Sequence, residues 1–191
     1  MSRINVDKIT GATGTASGAP ITLSGDTATL GSAVTFPAGH IIKMEIAHDA
    51  TQKSVSATSY SGGSSTITNL SVTINKTFSS SKILIFCSAN ILVDTSGNGE
   101  GRGCARIIRG TSSPYTEIKD FAGVVLTYDS GDTNAAGASA FLQCEDTTTL
   151  TGNLTYHLEL KKAGSAPDLV KYSGDNSGDF VSSMSAYEVT Q

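Results

Sequence analysis

The 191-residue sequence predicts an all-β fold: an antiparallel β-sandwich or jelly roll preceded by an extended N-terminal segment. Three observations carry this. Short apolar runs with period-two alternation recur from residue 41 onward. Gly/Ser/Asp/Asn clusters separate them, among them DTSGNGEGRG, YDSGDTNAAG and YSGDNSGD. No stretch of ten residues carries an apolar stripe of helical period. The composition agrees: 26 Ser, 24 Thr and 20 Gly stand where a typical globular chain has more apolar and charged residues.

The strands follow in order. IIKMEIA (41–47) alternates weakly, and TSYSGGSSTIT (58–68) is mostly loop. In LSVTINK (70–76), Leu70, Val72 and Ile74 share one face. KILIFCSANILV (82–93) is apolar on both faces, the pattern of a strand covered on both sides. Its outer cover is either the rest of one larger core or another copy of the chain, for which Ile83, Ile85, Ile91 and Val93 are the interface candidates. CARIIRG (104–110), VVLTY (124–128) and SAFLQCE (139–145) come next. NLTYHLELKK (153–162) turns Leu154, Tyr156, Leu158 and Leu160 inward and Thr155, His157, Glu159 and Lys161 outward. VSSMSAYEV (181–189) closes the set.

Residues 1–45 read differently and form an N-terminal segment distinct from the sandwich at 46–191. Two of the four prolines fall there, and the apolar residues are sparse, with Ile4, Val6, Ile9, Ile21, Leu23 and Phe36 the candidates for anchoring the chain to a partner. That is too little to bury for an independent core. ITLSG (21–25) and VTFPAG (34–39) nonetheless alternate like single strands ended by turn residues, a pattern suited to docking or intertwining.

Several classes of activity find no support. The net charge of −4 leaves nothing to neutralise a phosphate backbone, and Arg102, Arg106 and Arg109 split between two strand faces. No run of about 18 apolar residues is present, and MSRINVDKITGATG lacks the apolar core of a secretory signal. Cys87, Cys104 and Cys144 are an odd number at wide spacings, so neither a disulfide framework nor a zinc pattern is expected. Cys87 and Cys144 instead fit as small core-facing residues.

DTSGNGEG (94–101) echoes a calcium loop but lacks the third Asp/Asn and the distant bidentate acid, and reads as a polar hairpin. No paired carboxylates stand out for glycoside cleavage, no G-x-S-x-G elbow is present, and His40, His48 and His157 lack supporting motifs. No enzyme, cofactor or metal site is expected. Tyr60, Tyr115, Tyr128 and Tyr172 lie in or beside loops, where a plate bearing a hydroxyl suits sugar or protein surfaces.

Four stretches also resemble a known family: ITLSGDTATLGSAVTFPAGHII (21–42), TNLSVTINKTFSSSKILIF (68–86), ARIIRGTSS (105–113) and SSMSAYEV (182–189). Together they are similar to the small tail-fibre and tail-appendage proteins of tailed bacteriophages, of the marine-phage type. NKTFSSSK (75–82) departs from the pattern, since relatives place Pro in that linker. The resemblance implies a homotrimeric jelly roll like the complement and tumour-necrosis-factor type, made in the host cytoplasm and carried in the virion tail. The N-terminal segment would attach to other tail proteins and the sandwich would bind a host surface glycan or outer-membrane protein, without nucleic acid. The alternative is a non-adhesive virion protein, a head spike, decoration or tail joint, whose loops bind viral partners.

Overall fold

The computed structural model describes residues 8–9, 21–24, 27–30, 37–95, 99–129, 134–164, 167–172 and 181–191. The chain divides into two units, Met1–Pro37 and Ala38–Gln191. In the first, β1 (Lys8–Ile9), β2 (Ile21–Ser24) and β3 (Thr27–Leu30) form an antiparallel sheet, with Ile9 opposite Ile21 and Ile21 opposite Leu30. Ile21 and Leu23 are half-buried. Ile4, Val6 and Phe36 lie outside the described residues.

The second unit is an all-β sandwich. Its first sheet contains β4 (Ile41–Asp49), β5 (Lys53–Val55), β7 (Lys82–Thr95), β10 (Asn134–Asp146), β12 (Pro167–Tyr172) and β13 (Ser182–Val189). The second contains β6 (Ile67–Lys76), β8 (Gly99–Arg109), β9 (Thr116–Asp129) and β11 (Gly152–Gly164), in the order β6-β11-β8-β9. β7 is the spine of the first sheet. β10 pairs along one edge of it, while β13 and then β12 share the other edge, with β4 outside β13 and β5 outside β12. Every pairing is antiparallel, and the chain passes repeatedly between sheets in the manner of a jelly roll.

The core lies where the alternation places it. Leu70, Val72 and Ile74 of β6 and Leu154, Tyr156, Leu158 and Leu160 of β11 face Met184 and Ala186 of β13 across a fully buried layer. Cys87 is buried, Cys144 packs against the same cluster, and both thiols are free.

Four corrections follow. The domain boundary falls at Pro37, because β4 pairs with β13 through most of its length and belongs to the sandwich. Ile83, Ile85, Ile91 and Val93 are at most 1% exposed: this row of β7 faces the second sheet of the same chain and is not an intersubunit surface. Glu159, expected outside, is fully buried.

The fourth concerns the Gly cluster at 99–103, which is strand rather than loop. A Cβ at Gly103 would meet Val93 and Ile91 methyls at 3.1 and 3.3 Å, so glycine there serves the close approach of the two sheets. The short strands β5 and β12 carry too few apolar residues to show a period.

Candidate functional site

Two surfaces of the sandwich carry side chains that its folding does not consume. The first is the outward face of β4, β13, β7 and β10. Because side chains alternate along each strand, the residues between the buried row of β7 point outward: Leu84, Phe86, Ser88 and Asn90. Strand register then builds rows across the sheet. Met44, Tyr187, Leu84 and Glu145 stand side by side, followed by Ile46, Ser185, Phe86 and Gln143, then His48, Ser183, Ser88 and Phe141.

The three aromatic side chains touch. Phe86 stands edge-on to Tyr187 with centroids 5.5 Å apart, and its ring is tilted against Phe141 at 6.2 Å. Phe141 is 68% exposed, Met44 50% and Ile46 49%. Lys82 pairs with Glu145 at 2.9 Å on the rim. At the far end the face turns polar, where Ser139 donates to Asn90 at 2.6 Å. An apolar, aromatic patch bounded by polar residues has the anatomy of a protein-binding surface.

The second surface is a cleft on the outer side of the other sheet. Its floor is formed by Asn69 and Ser71 of β6 with His157 of β11, which lies opposite Ser71. Lys53 and Ser64 make one wall and Tyr115 the other, around a volume of about 350 Å³. Tyr115 follows a cis Ser113–Pro114 peptide and its ring is wedged between two glycines. Gly62 (φ 62°) and Gly110 (φ 141°) are both left-handed, and a Cβ on either would press on the ring at 3.3 and 3.1 Å.

The His157 ring stands edge-on to Tyr115 at 5.7 Å. Its Nε2–H donates to the Gly110 carbonyl, the atoms 2.9 Å apart, which fixes the tautomer. Burial pushes the His157 pKa down and outweighs that hydrogen bond, so the ring is neutral at pH 7.

The loop on the cleft's edge is fastened from beneath by Glu159. Its carboxylate accepts from the amides of Ser61 (3.1 Å) and Gly62 (2.9 Å), from the Thr66 hydroxyl, and from Arg106 Nε (2.6 Å). Burial opposes ionisation, but the bonds from Thr66, Arg106 and Gly62 prevail and hold the carboxyl below its ordinary value. Arg106 also binds Glu117 at 2.8 Å and lies 4.4 Å over the Tyr60 ring, with Lys161 4.2 Å from the same ring. The Tyr60 hydroxyl donates to Asp120 at 3.1 Å. Burial first, then Asp120, raises its pKa.

The four tyrosines singled out from sequence therefore part company. Tyr115 walls the cleft, and the Tyr60 ring packs against two cations, Arg106 and Lys161, beside the same loop. Tyr172 is fully buried in the core and is corrected as a receptor contact, because β12 turns it inward against the second sheet. The side chain of Tyr128 lies outside the described residues. The two-faced pattern of residues 82–93 foreshadowed an apolar outer face, although the row Ile83, Ile85, Ile91 and Val93 is the buried one. Lys53 and Glu159 had no sequence signal. In the calcium-like stretch, Asp94 is held by Lys171 at 3.2 Å. Among the described residues, no group of three His, Cys, Asp or Glu side chains is placed to hold a metal.

No protein-family model matches the chain. No curated protein matches it either. Among solved structures, it resembles a subunit of the T13 viral particle of IBDV at 17% identity. That alignment covers 89% of this chain and 39% of the other, with a TM-score of 0.33. The VP2 subviral particle of infectious bursal disease virus aligns at 17% identity over 90% and 42%, with a TM-score of 0.31. The chain thus spans about two fifths of the length of these proteins, and the functional reading rests on the two surfaces above.

Proposed function

We propose that the chain is a structural protein of a virion, a trimeric tail-fibre or tail-appendage subunit displayed for adhesion to the host surface. The observation that carries the assembly is the aromatic face of β4, β13, β7 and β10. Its Phe141, Met44 and Ile46 are 68%, 50% and 49% exposed, and its rim carries both signs of charge in Lys82 and Glu145. A patch of that kind suits burial against copies of the same chain, each packing it head to tail against its neighbour around a threefold axis. The N-terminal unit, Met1–Pro37, would attach the assembly to other tail proteins.

The opposite sheet, with its cleft and loops, then faces outward. Weak contacts repeated three times add through high effective concentration, which gives such a fibre its grip without tight single sites. Light scattering on the full chain after size exclusion tests the reading. The mass of three chains supports it. A monomer overturns the trimer and assigns the aromatic face to another viral protein, the spike or joint arrangement.

A further inference from the structure

The adhesion reading leaves open what the outward sheet recognises, and the chemistry of the cleft narrows it. Among the described residues lining it there is one cation, Lys53, and no Asp or Glu, although the chain has 17 acidic residues against 13 Lys and Arg. The acid beneath the cleft, Glu159, is turned under the loop and bound to Arg106. Lys53 Nζ donates to the carbonyls of Ser64 and Ile67, which fixes its position and leaves the third ammonium proton over. No described carboxylate forms an ion pair with it. Burial lowers its pKa, as it does for an ammonium short of a counter-charge.

The rest of the cleft suits a pyranose ring. Tyr115 offers an apolar plate already held by Gly62, Gly110 and His157, so little side-chain freedom is lost on binding. Asn69 and Ser71 project from alternate positions of β6 and present an amide and a hydroxyl about 7 Å apart along the strand. A volume of about 350 Å³ lies at the small end of the range for ligand sites.

We propose that this cleft binds an acidic sugar unit of a surface polysaccharide, its carboxylate on Lys53, its ring against Tyr115 and its hydroxyls on Asn69 and Ser71. The proposal rests on the adhesion reading and goes further by naming the ligand chemistry. One carboxylate on one partly desolvated ammonium also supplies selectivity, because a neutral sugar would leave that charge uncompensated.

The test uses the full chain labelled with ¹⁵N. Trigalacturonic acid, a hyaluronan tetrasaccharide and α2,8-linked disialic acid are each titrated beside the methyl ester of the same compound. At least one acid should move the amide signals of Asn69, Ser71 and Tyr115 saturably, with its ester at least tenfold weaker. Ser71→Glu, at a surface position of β6, should weaken the acid tenfold or more while distant signals stay in place. Lys53→Met should abolish the preference for acid over ester. If that variant does not fold, Ser71→Glu and the esters still decide.

Equal binding of acid and ester would overturn the charge recognition, and no response to any of the three acids would overturn the cleft as a sugar site. Adsorption of labelled protein to cells the virus infects separates the two levels. Equal adsorption of wild type and Ser71→Glu removes the cleft and keeps adhesion. Adsorption by neither removes the adhesion reading itself.

Discussion

The ring of Phe86 stands edge-on to that of Tyr187, 5.5 Å between centroids and 86° between planes, on the outward side of a sheet whose inward side is closed core. Phe141, on the other flank of Phe86, is 68% exposed. An exposed aromatic of this kind is where interface energy concentrates, each such anchor contributing about 2 kcal/mol or more. If the chain assembles through this face as proposed, Phe141→Glu should convert trimer to monomer at micromolar concentration, read by light scattering across a dilution series. A Phe141→Glu protein that still scatters as three chains would place the interface elsewhere.

Ile85 precedes Phe86 by one residue and faces the other way, fully buried between the sheets. Truncation there opens a cavity that the surrounding strands only partly fill. Ile85→Ala should lower the free energy of urea unfolding by about 2–5 kcal/mol. The mass in solution should match that of the unsubstituted chain. A change of oligomeric state with little loss of stability would return this row of β7 to the interface.

The contrast between those neighbours shows what was legible in the sequence. Period two made both faces of residues 82–93 visible as apolar, and it placed Leu70, Val72, Ile74 and the Leu/Tyr row of β11 in the core. It does not say which face of a two-sided strand meets its own second sheet, because that depends on register with β10 and β13, distant in sequence. Tyr172 was misjudged for a related reason: a strand as short as β12 offers no period against which to assign its side chains. The cleft was less legible still. Lys53, Asn69 and Tyr115 come together only through the pairing of β6 with β11 and the packing of two loops. Glu159 stood in an alternating row as an outward charge, and only the folded loop at 61–66, together with Arg106 of β8, supplies the donors that let it be buried.

Two left-handed glycines separate backbone strain from close contact. Gly164 (φ 108°) lies opposite Gly101 at the end of β11, and a Cβ there would fall 2.1 Å from the Glu100 carbonyl oxygen. Gly152 (φ 86°) begins the same strand with nothing within 4 Å of that position. Gly152→Ala should cost only the conformational strain, about 1–2 kcal/mol. Gly164→Ala must also displace backbone and should cost clearly more, with loss of protection at the β8–β11 end in hydrogen exchange. Equal unfolding free energies for the two variants would mean that the strand end yields without penalty.

Acid should act through two buried carboxylates. Glu188 is fully buried and accepts from the amides of Thr77 (2.9 Å) and Phe78 (2.8 Å) and the Ser81 hydroxyl (2.7 Å), closing the turn between β6 and β7. Burial opposes its ionisation, yet the bonds from Ser81, Phe78 and Thr77 prevail and its pKa lies below the ordinary 4.5, as does that of Glu159. A carboxyl with a lowered folded pKa stabilises fully above its unfolded value, and that contribution is lost as pH falls through the folded one. The urea midpoint should hold steady from pH 7 to about 5 and then fall through pH 4 and below. Glu159→Gln should cost about 3 kcal/mol at pH 7, because Arg106 loses its buried partner. Glu188→Gln keeps one acceptor oxygen but loses the charge and sets an NH2 against the Thr77 amide, and should cost about 1–3 kcal/mol. The decisive feature is the slope: with both residues replaced, the midpoint should fall less steeply below pH 4.5 than in the wild type. An unchanged slope would assign the acid sensitivity to groups other than these two.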